Sequence, residues 1–318
     1  MIKYIIIQLS DASVSYCHYA ATATAEPRTI PIEMLHKGIT WAMKENATVQ
    51  FVYPAHRLPD EYHAIIESID HAKIVPARCD DEQLENVADV VVFDDYAAME
   101  GYNFRSTAAY VLRTTRDELF MNHQAITGAL GSVQRFNVVI TDIDSFTDDD
   151  LATYAHILDS LADKVTEQYA AGNAMQFNLL TDRIMLDSMN NCNAGWETIA
   201  LTPDGRFYPC PAFYFDGDED YCLGDIDSGL HIKNPQLYRL DHAPICRSCD
   251  AWQCRRCTWL NRRLTLDVNT PGRQQCVVAH TERNASRRLL ARLKAAGLFP
   301  GKEIKEITYL DPFEIIKQ

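Results

Sequence analysis

Eight of the chain's ten cysteines lie in its C-terminal portion, at Cys192, Cys210, Cys222, Cys246, Cys249, Cys254, Cys257 and Cys276. The densest stretch, Cys246-Arg-Ser-Cys249-Asp-Ala-Trp-Gln-Cys254-Arg-Arg-Cys257, sets two CxxC pairs four residues apart. Thiolates this close in sequence can converge on one centre, and such sets suit zinc or an iron–sulfur cluster. Eight ligands divide into two complete tetrathiolate sites. The region around them is poor in apolar residues, so metal must supply the cross-linking that a core would otherwise give. The competing reading, a set of buried or disulfide-bonded cysteines, belongs mainly to short secreted chains.

At 318 residues the chain can bury a sizeable core and fill two domains. The run Ile5-Ile6-Ile7 is too short for a secretory h-region or a membrane span, and Ser10 and Asp11 end it. A reducing, cytoplasmic setting is therefore expected, with thiolates available to metal and no membrane partner. The net charge of −14 argues against nucleic acid. The charge is uneven, however. From Cys246 to Ala296, ten Arg and one Lys stand against Asp250, Asp267 and Glu282. This stretch is either a solvated helix face that also supplies counter-charge for anionic clusters, or a surface for an acidic peptide or partner, with Arg255–Lys294 as the first candidate segment and Arg287 and Arg288 as the positions to reverse.

Up to about residue 190 the pattern alternates strand and helix. Strands are expected at Lys3–Gln8, Thr48–Tyr53, Lys73–Pro76, Val87–Phe93, Tyr110–Thr114, Phe136–Thr141 and Gln176–Leu180. Helices are expected at Pro31–Asn46, with Ile32, Leu35, Ile39 and Met43 on one face, and at Glu61–Asp70, Asp117–Leu130 and Asp148–Ala171. Repeated βα units favour a parallel sheet with outer helices, open or closed into a full or partial barrel. After Met189 two short strands, Trp196–Thr202 and Arg206–Pro209, flank the turn Pro203-Asp204-Gly205. Leu223 to Thr270 reads as loop, and Asn284–Ala296 as a final helix stopped by Gly297. Asp94-Asp95 and Asp142-x-Asp144 follow strands, but acid-rich loop ends are ordinary surface. No Ser/His/Asp set, P-loop or dinucleotide fingerprint is present.

The spacing Cys192-(12 residues)-Gly205-(4 residues)-Cys210, then the group Cys246 to Cys257, then Cys276, resembles the SPASM domain over residues 190 to 280. That domain extends many radical S-adenosylmethionine enzymes that modify peptides. The group of four is spaced x2, x4, x2 here, where the family usually has x2, x5, x3. The resemblance implies two [4Fe–4S] clusters with interleaved ligands. One set would be Cys192, Cys210, Cys257 and Cys222, the other Cys246, Cys249, Cys254 and Cys276. Two zinc sites are the alternative, since spacing alone separates neither metal.

A SPASM domain implies an N-terminal Cys-x3-Cys-x2-Cys after the first strand. With Cys17 as the third position, the other two are Ser10 and Val14, and neither can replace a thiolate. Tyr16-Cys17-His18-Tyr19 still looks like the tail of that motif. Where the family carries a Gly-Gly-Glu segment after the second strand, this chain has Phe51-Val52-Tyr53-Pro54. The expected fold is thus α/β: a degenerate, partial radical-SAM-like βα barrel (1–188), a cysteine-rich SPASM-like domain (189–282), and a C-terminal helix and tail (283–318). No S-adenosylmethionine is expected, and no catalytic residue is assigned. Cys17 and Cys79 are read as structural thiols. The start, from Lys3 through Tyr19, and Phe51–Pro54 resemble the maturase proteins of CXXX-repeat peptides. This implies an accessory, non-catalytic subunit that meets a precursor peptide or an active radical S-adenosylmethionine enzyme. The alternatives are an iron–sulfur electron-transfer protein and a zinc-stapled interaction module.

Overall fold

The computed structural model describes residues 1–21, 26–299, 303, 304, 306 and 307. The strands are β1 (Tyr4–Gln8), β2 (Thr48–Val52), β3 (His71–Pro76), β4 (Val90–Phe93), β5 (Ala109–Thr114), β6 (Arg135–Ile140), β7 (Gln176–Phe177), β8 (Thr198–Leu201) and β9 (Phe207–Tyr208). The α-helices are α1 (Ile32–Glu45), α2 (Asp60–Ile66), α3 (Glu82–Asn86), α4 (Arg116–Leu130), α5 (Asp148–Ala170), α6 (Asp182–Met185), α7 (Pro211–Phe215), α8 (Thr258–Thr265) and α9 (Arg273–Ala295). This is the mixed, mostly parallel α/β fold that the βα rhythm implied. The chain forms two compact units, each made of two stretches: Met1–Asp94 with Cys192–His242, and Asp95–Asn191 with Ala243–Gln318. No helix among the described residues is long and apolar enough to cross a membrane.

In the first unit the strand order is β4-β3-β2-β1-β8-β9, parallel except for β9. β1 is flanked on both sides, and its Ile5 and Ile7 are fully buried, as an unbroken isoleucine run requires. α1 begins after Pro31 and ends at Asn46 in the left-handed conformation. Its buried stripe is Leu35, Gly38, Ile39 and Ala42, while Met43 is exposed. Gly38 displaces the expected stripe because it lets the helix settle on β8: a Cβ there would stand 2.4 Å from Leu201 Cδ2. The apolar pattern gives no sign of α3. Asp81 creates it by accepting the Leu84 N–H at 3.0 Å.

In the second unit β7, β6 and β5 lie side by side, all parallel. β7 is two residues long, shorter than the expected Gln176–Leu180. The chain turns there because Thr181 Oγ1 accepts from Phe177 N at 2.7 Å. Asn178 then continues the pairing with its side chain, accepting from Val138 N at 2.8 Å and donating to Val138 O at 2.9 Å. α4 and α5 each start in a capping box, Thr115/Glu118 and Thr147/Asp150. Asp142 accepts from Arg116 N at 2.7 Å and from Ser145 Oγ at 3.1 Å, so this loop-end acid is structural.

α9 starts at Arg273, eleven residues earlier than the helix expected from Asn284. Its buried stripe mixes Val278, Ala279, Leu289 and Leu293 with Gln275, Glu282, Arg283 and Ser286, which hides the apolar period. α8 falls where a loop is expected, for the same reason: Asn261, Arg262 and Arg263 interrupt the apolar pattern between Trp259 and Leu264.

Glu282 is 8% exposed and faces two neighbours on the inside of its unit. The Tyr154 hydroxyl donates to it at 2.8 Å and Gln253 Nε2 at 3.3 Å. Burial pushes its carboxyl up to about 7, although both hydrogen bonds oppose the shift. Between its ordinary value and about 7 the folded chain therefore binds a proton that the unfolded chain has released. Stability is fully retained below the ordinary value, falls as pH rises, and is lower by about 3 kcal/mol once both states are ionised. Glu282→Gln removes this titration. In urea melts of one metal-loading state, the variant should gain on the parent between about pH 5 and about pH 8. Parallel profiles would show that the carboxyl titrates normally.

Candidate metal centre

Four of the cysteines come together in the second unit. Cys246, Cys249, Cys254 and Cys276 line one cavity of about 370 Å³, with Arg256 and His280 also on its wall. Cys246 opens a single 3₁₀ turn, and Cys249 N closes it on Cys246 O at 3.1 Å. Ala251 N points at Cys249 Sγ from 3.4 Å. Arg256 takes a left-handed φ of 43°, and its backbone N–H is directed to Cys254. Cys276 arrives from elsewhere in the sequence, in the first turn of α9. His280 lies one turn further along that helix, with Nε2 at 3.5 Å from Cys249 Sγ.

Burial pushes the Cys246 thiol up to about 11 and raises Cys254 as well, with neighbouring cysteines adding to both. Without a cation Cys246 and Cys254 are therefore thiols. A bound metal reverses this by replacing the protons. None of the ten cysteines is disulfide-bonded. Among the described residues, no three His, Cys, Asp or Glu side chains close on a single metal position.

The loop carrying Cys249 is held by its neighbour. Asp250 is 3% exposed, and Arg283 Nη1 donates to it at 2.9 Å, Arg287 Nη2 at 3.3 Å and Arg183 Nη2 at 3.4 Å. Arg183 Nε also donates to the Asp250 carbonyl at 2.9 Å. Burial works to raise this carboxyl, but the three guanidinium groups outweigh it and hold it below its ordinary range. From the sequence Asp250 is no more than a counter-charge. A lone acid between two cysteines inside a basic stretch is the signal that could have singled it out.

Several arginines of the basic stretch pair within their own unit. Arg287 also pairs with Glu306 at 2.8 Å, Arg288 with Asp159 at 2.8 Å, and Arg292 with Asp163. Arg256 and Arg283 are buried. Pairing with carboxylates of the same unit is a use of these arginines that neither reading of the segment named.

In the first unit, Gly205 turns the β8–β9 hairpin at φ 81°, and Cys210 follows β9 as the residue preceding α7. Tyr16 lies near Cys210 and Cys192 as well as its own neighbour Cys17. Burial first, then Tyr19 and these three thiols, raises its hydroxyl well above the ordinary value. Tyr19 stacks on Phe215 of α7 with centroids 5.6 Å apart, tying the loop after β1 to this segment. Cys222 Sγ donates to Gly224 O at 3.4 Å. Cys257 belongs to the second unit, where its sulfur caps α8 by accepting from Leu260 N at 3.4 Å.

The loop after β1 is filled with packed side chains. Ser10 is fully buried and Val14 nearly so. Ser13 Oγ donates to Val52 O at 2.8 Å, and Val14 N to Tyr53 O at 3.0 Å.

Residues 192–258 match the SPASM family, described as an iron–sulfur cluster-binding domain. The match takes in seven of the eight clustered cysteines, and Cys276 lies beyond it. No curated protein matches the chain by sequence. Among solved structures, the chain is similar to native anSMEcpe with bound AdoMet and Cp18Cys peptide, at 11% identity and a TM-score of 0.62, over 93% of this chain and 100% of that one. Native anSMEcpe with bound AdoMet and Kp18Cys peptide gives 12% identity and 0.62, over 92% and 99%. Native anSMEcpe with bound AdoMet and no peptide named gives 12% and 0.60, over 92% and 100%. At these identities the likeness is one of fold.

Asp250→Ala would leave buried guanidinium groups without their shared anion, and should cost about 3–5 kcal/mol in denaturant melts of the metal-free chain. A loss below about 1 kcal/mol would mean that the loop is held by something other than this carboxylate.

Proposed function

For a SPASM-domain protein on a radical-S-adenosylmethionine-like α/β scaffold, we propose an accessory, non-catalytic role in maturing a ribosomally made peptide. The observation that carries this reading is the packed loop after β1. Where the related enzymes place three cluster-binding thiolates, this chain offers Cys17 alone. The other two positions, Ser10 and Val14, are buried. The loop's hydrogen bonds to Val52 and Tyr53 fix it against the end of β2. Nothing in that loop can supply a cluster with an open iron for S-adenosylmethionine. The like-folded anSMEcpe is seen with bound AdoMet and with peptides. Peptide handling is the part of that pair which this chain keeps in our reading.

The auxiliary sites remain. Cys246, Cys249, Cys254 and Cys276 fit a [4Fe–4S] cluster better than a zinc ion. Four thiolates on one zinc stand only about 3.8 Å apart, given the Zn–S bond length, whereas a cluster with bridging sulfides keeps its ligands apart around a larger volume. The four thiols line one cavity, and the likeness of residues 192–258 to an iron–sulfur cluster-binding domain supports the cluster. When bound, such a cluster supplies cross-linking and one-electron chemistry. The chain's own part is to hold four deprotonated sulfurs on a loop fixed by Asp250 and a helix that supplies Cys276. Cys192, Cys210 and Cys222, with Cys257 on the family pattern, form our second ligand set. The partner is a precursor peptide or an active radical enzyme. Because Arg287 and Arg288 are paired internally, the basic stretch is not our contact surface.

Protein purified without oxygen should be brown and carry about eight irons per chain. A colourless protein with about two zincs would refute the cluster reading and leave a zinc-stapled interaction module. The loaded chain, given S-adenosylmethionine and a strong reductant, should form no 5′-deoxyadenosine. Its Cys17-dependent appearance would show that the chain is an enzyme in its own right.

A further inference from the structure

Besides its four thiols, the cavity of the second unit is lined by Arg247, Arg256, Gln275 and His280, and of these His280 and Arg256 are buried and bear on the thiols' charge. His280 is 8% exposed, with Nε2 at 3.5 Å from Cys249 Sγ. It occupies the face of α9 that also carries Cys276, one turn away, so the helix that supplies a thiol supplies the imidazole too. Arg256 is 1% exposed, sits between Cys254 and Cys257, and donates Nη2 to Asn269 Oδ1 at 2.6 Å. Its backbone is left-handed at φ 43°, which is unfavourable for a residue with a side chain and marks a turn that local preference did not choose. The guanidinium is within electrostatic reach of Cys246.

A metal-bound thiolate has no proton to give, so against Cys249 the imidazole nitrogen must be the donor. Hydrogen bonds to a cluster's sulfurs, and fixed positive charge beside them, stabilise the form carrying one more electron. Solvent exclusion strengthens both effects, because neither charge is screened by water. Neither side chain is needed to complete a tetrathiolate site. Both lie where they bear on its charge.

We propose that His280 and Arg256 tune the centre held by Cys246, Cys249, Cys254 and Cys276, raising its reduction potential so that it accepts an electron instead of serving only as a structural staple. The proposal rests on the iron–sulfur reading of that site. His280 acts through Cys249, and Arg256 through the field at Cys246. Both are positioning residues, and neither is a ligand. The electron source is a low-potential one-electron donor, for which dithionite stands in below.

The test is a mediated dithionite titration of the anaerobically loaded full chain, followed by the EPR signal of the reduced centre, with iron measured on each sample. His280→Leu should keep its iron, while the ratio of reduced to oxidised centre at a fixed ambient potential falls about tenfold, or ~59 mV for one electron. His280→Gln, which keeps an N–H donor, should recover most of that loss. Arg256→Met should shift the curve in the same direction, and Arg256→Lys should restore it. Titration curves that superpose on the parent's in His280→Leu and Arg256→Met, with iron retained, would sink the proposal. So would a nitrogen directly bound to iron in pulsed EPR, which would make His280 a ligand. Should His280→Leu lose its iron, His280→Gln decides: a parental potential supports the tuning role, and a lowered one with full iron rejects it. A parent chain that takes up no iron would refute the cluster reading itself, a result distinct from all of these.

Discussion

One buried carboxylate organises the second unit around its cysteine-rich loop. Asp250 draws in Arg183 from α6 and Arg283 and Arg287 from α9, so two helices remote in sequence are fixed to the loop between Cys249 and Cys254. Burying so much charge is tolerable only when each group meets its opposite, and the same condition gives the arrangement a single geometry. Glu306 supports the set by accepting from Arg287. The thiol loop has little apolar surface of its own, so its position in the metal-free chain depends on this network. The ligands can then be held in place before any metal arrives.

The arginine-rich composition follows from that task. Arginines that a sequence scan would offer as a docking surface are instead divided between the Asp250 network, the cavity wall and the α5–α9 contact, where Arg288 and Arg292 meet Asp159 and Asp163. Arginine suits such sites because its charge persists on burial and its planar group bonds several partners at once. The acidic residues of α5 that set the helix's register against α9 account for part of the chain's large negative balance.

The two halves of the cysteine array are supported differently. In the first unit Cys210 hangs from a hairpin turned at Gly205, and the loop after β1 packs against it through Tyr19 and Phe215. That loop's conformation is set by Ser13 and Val14 bonding to the end of β2. In the second unit the support is ionic and helical. The first unit thus fixes its cysteines by a hairpin and aromatic packing, the second by buried ion pairs and a helix.

The sequence by itself determined the βα rhythm, because buried parallel strands such as Ile5–Ile7 and long amphipathic helices such as α5 write their period directly into the residue order. It also pointed to thiolate chemistry, since CxxC spacing is local and only a few groups suit four sulfurs, and the SPASM match over residues 192–258 agrees with an iron–sulfur cofactor. It missed α3 and α8, shortened α9 and lengthened β7, all at places where polar side chains do the structural work: Asp81 as a cap, Asn178 as a surrogate strand, Glu282 and Arg283 inside a helix stripe. Pattern reading counts apolar positions and cannot see a buried ion pair. Only the tertiary structure decided that Cys276, His280 and Arg256 line one cavity with Cys246, Cys249 and Cys254, and that Tyr16 lies near Cys192 and Cys210. Those relations join residues from separate stretches of chain. They are fixed by charge burial and helix packing, which no spacing along the sequence records.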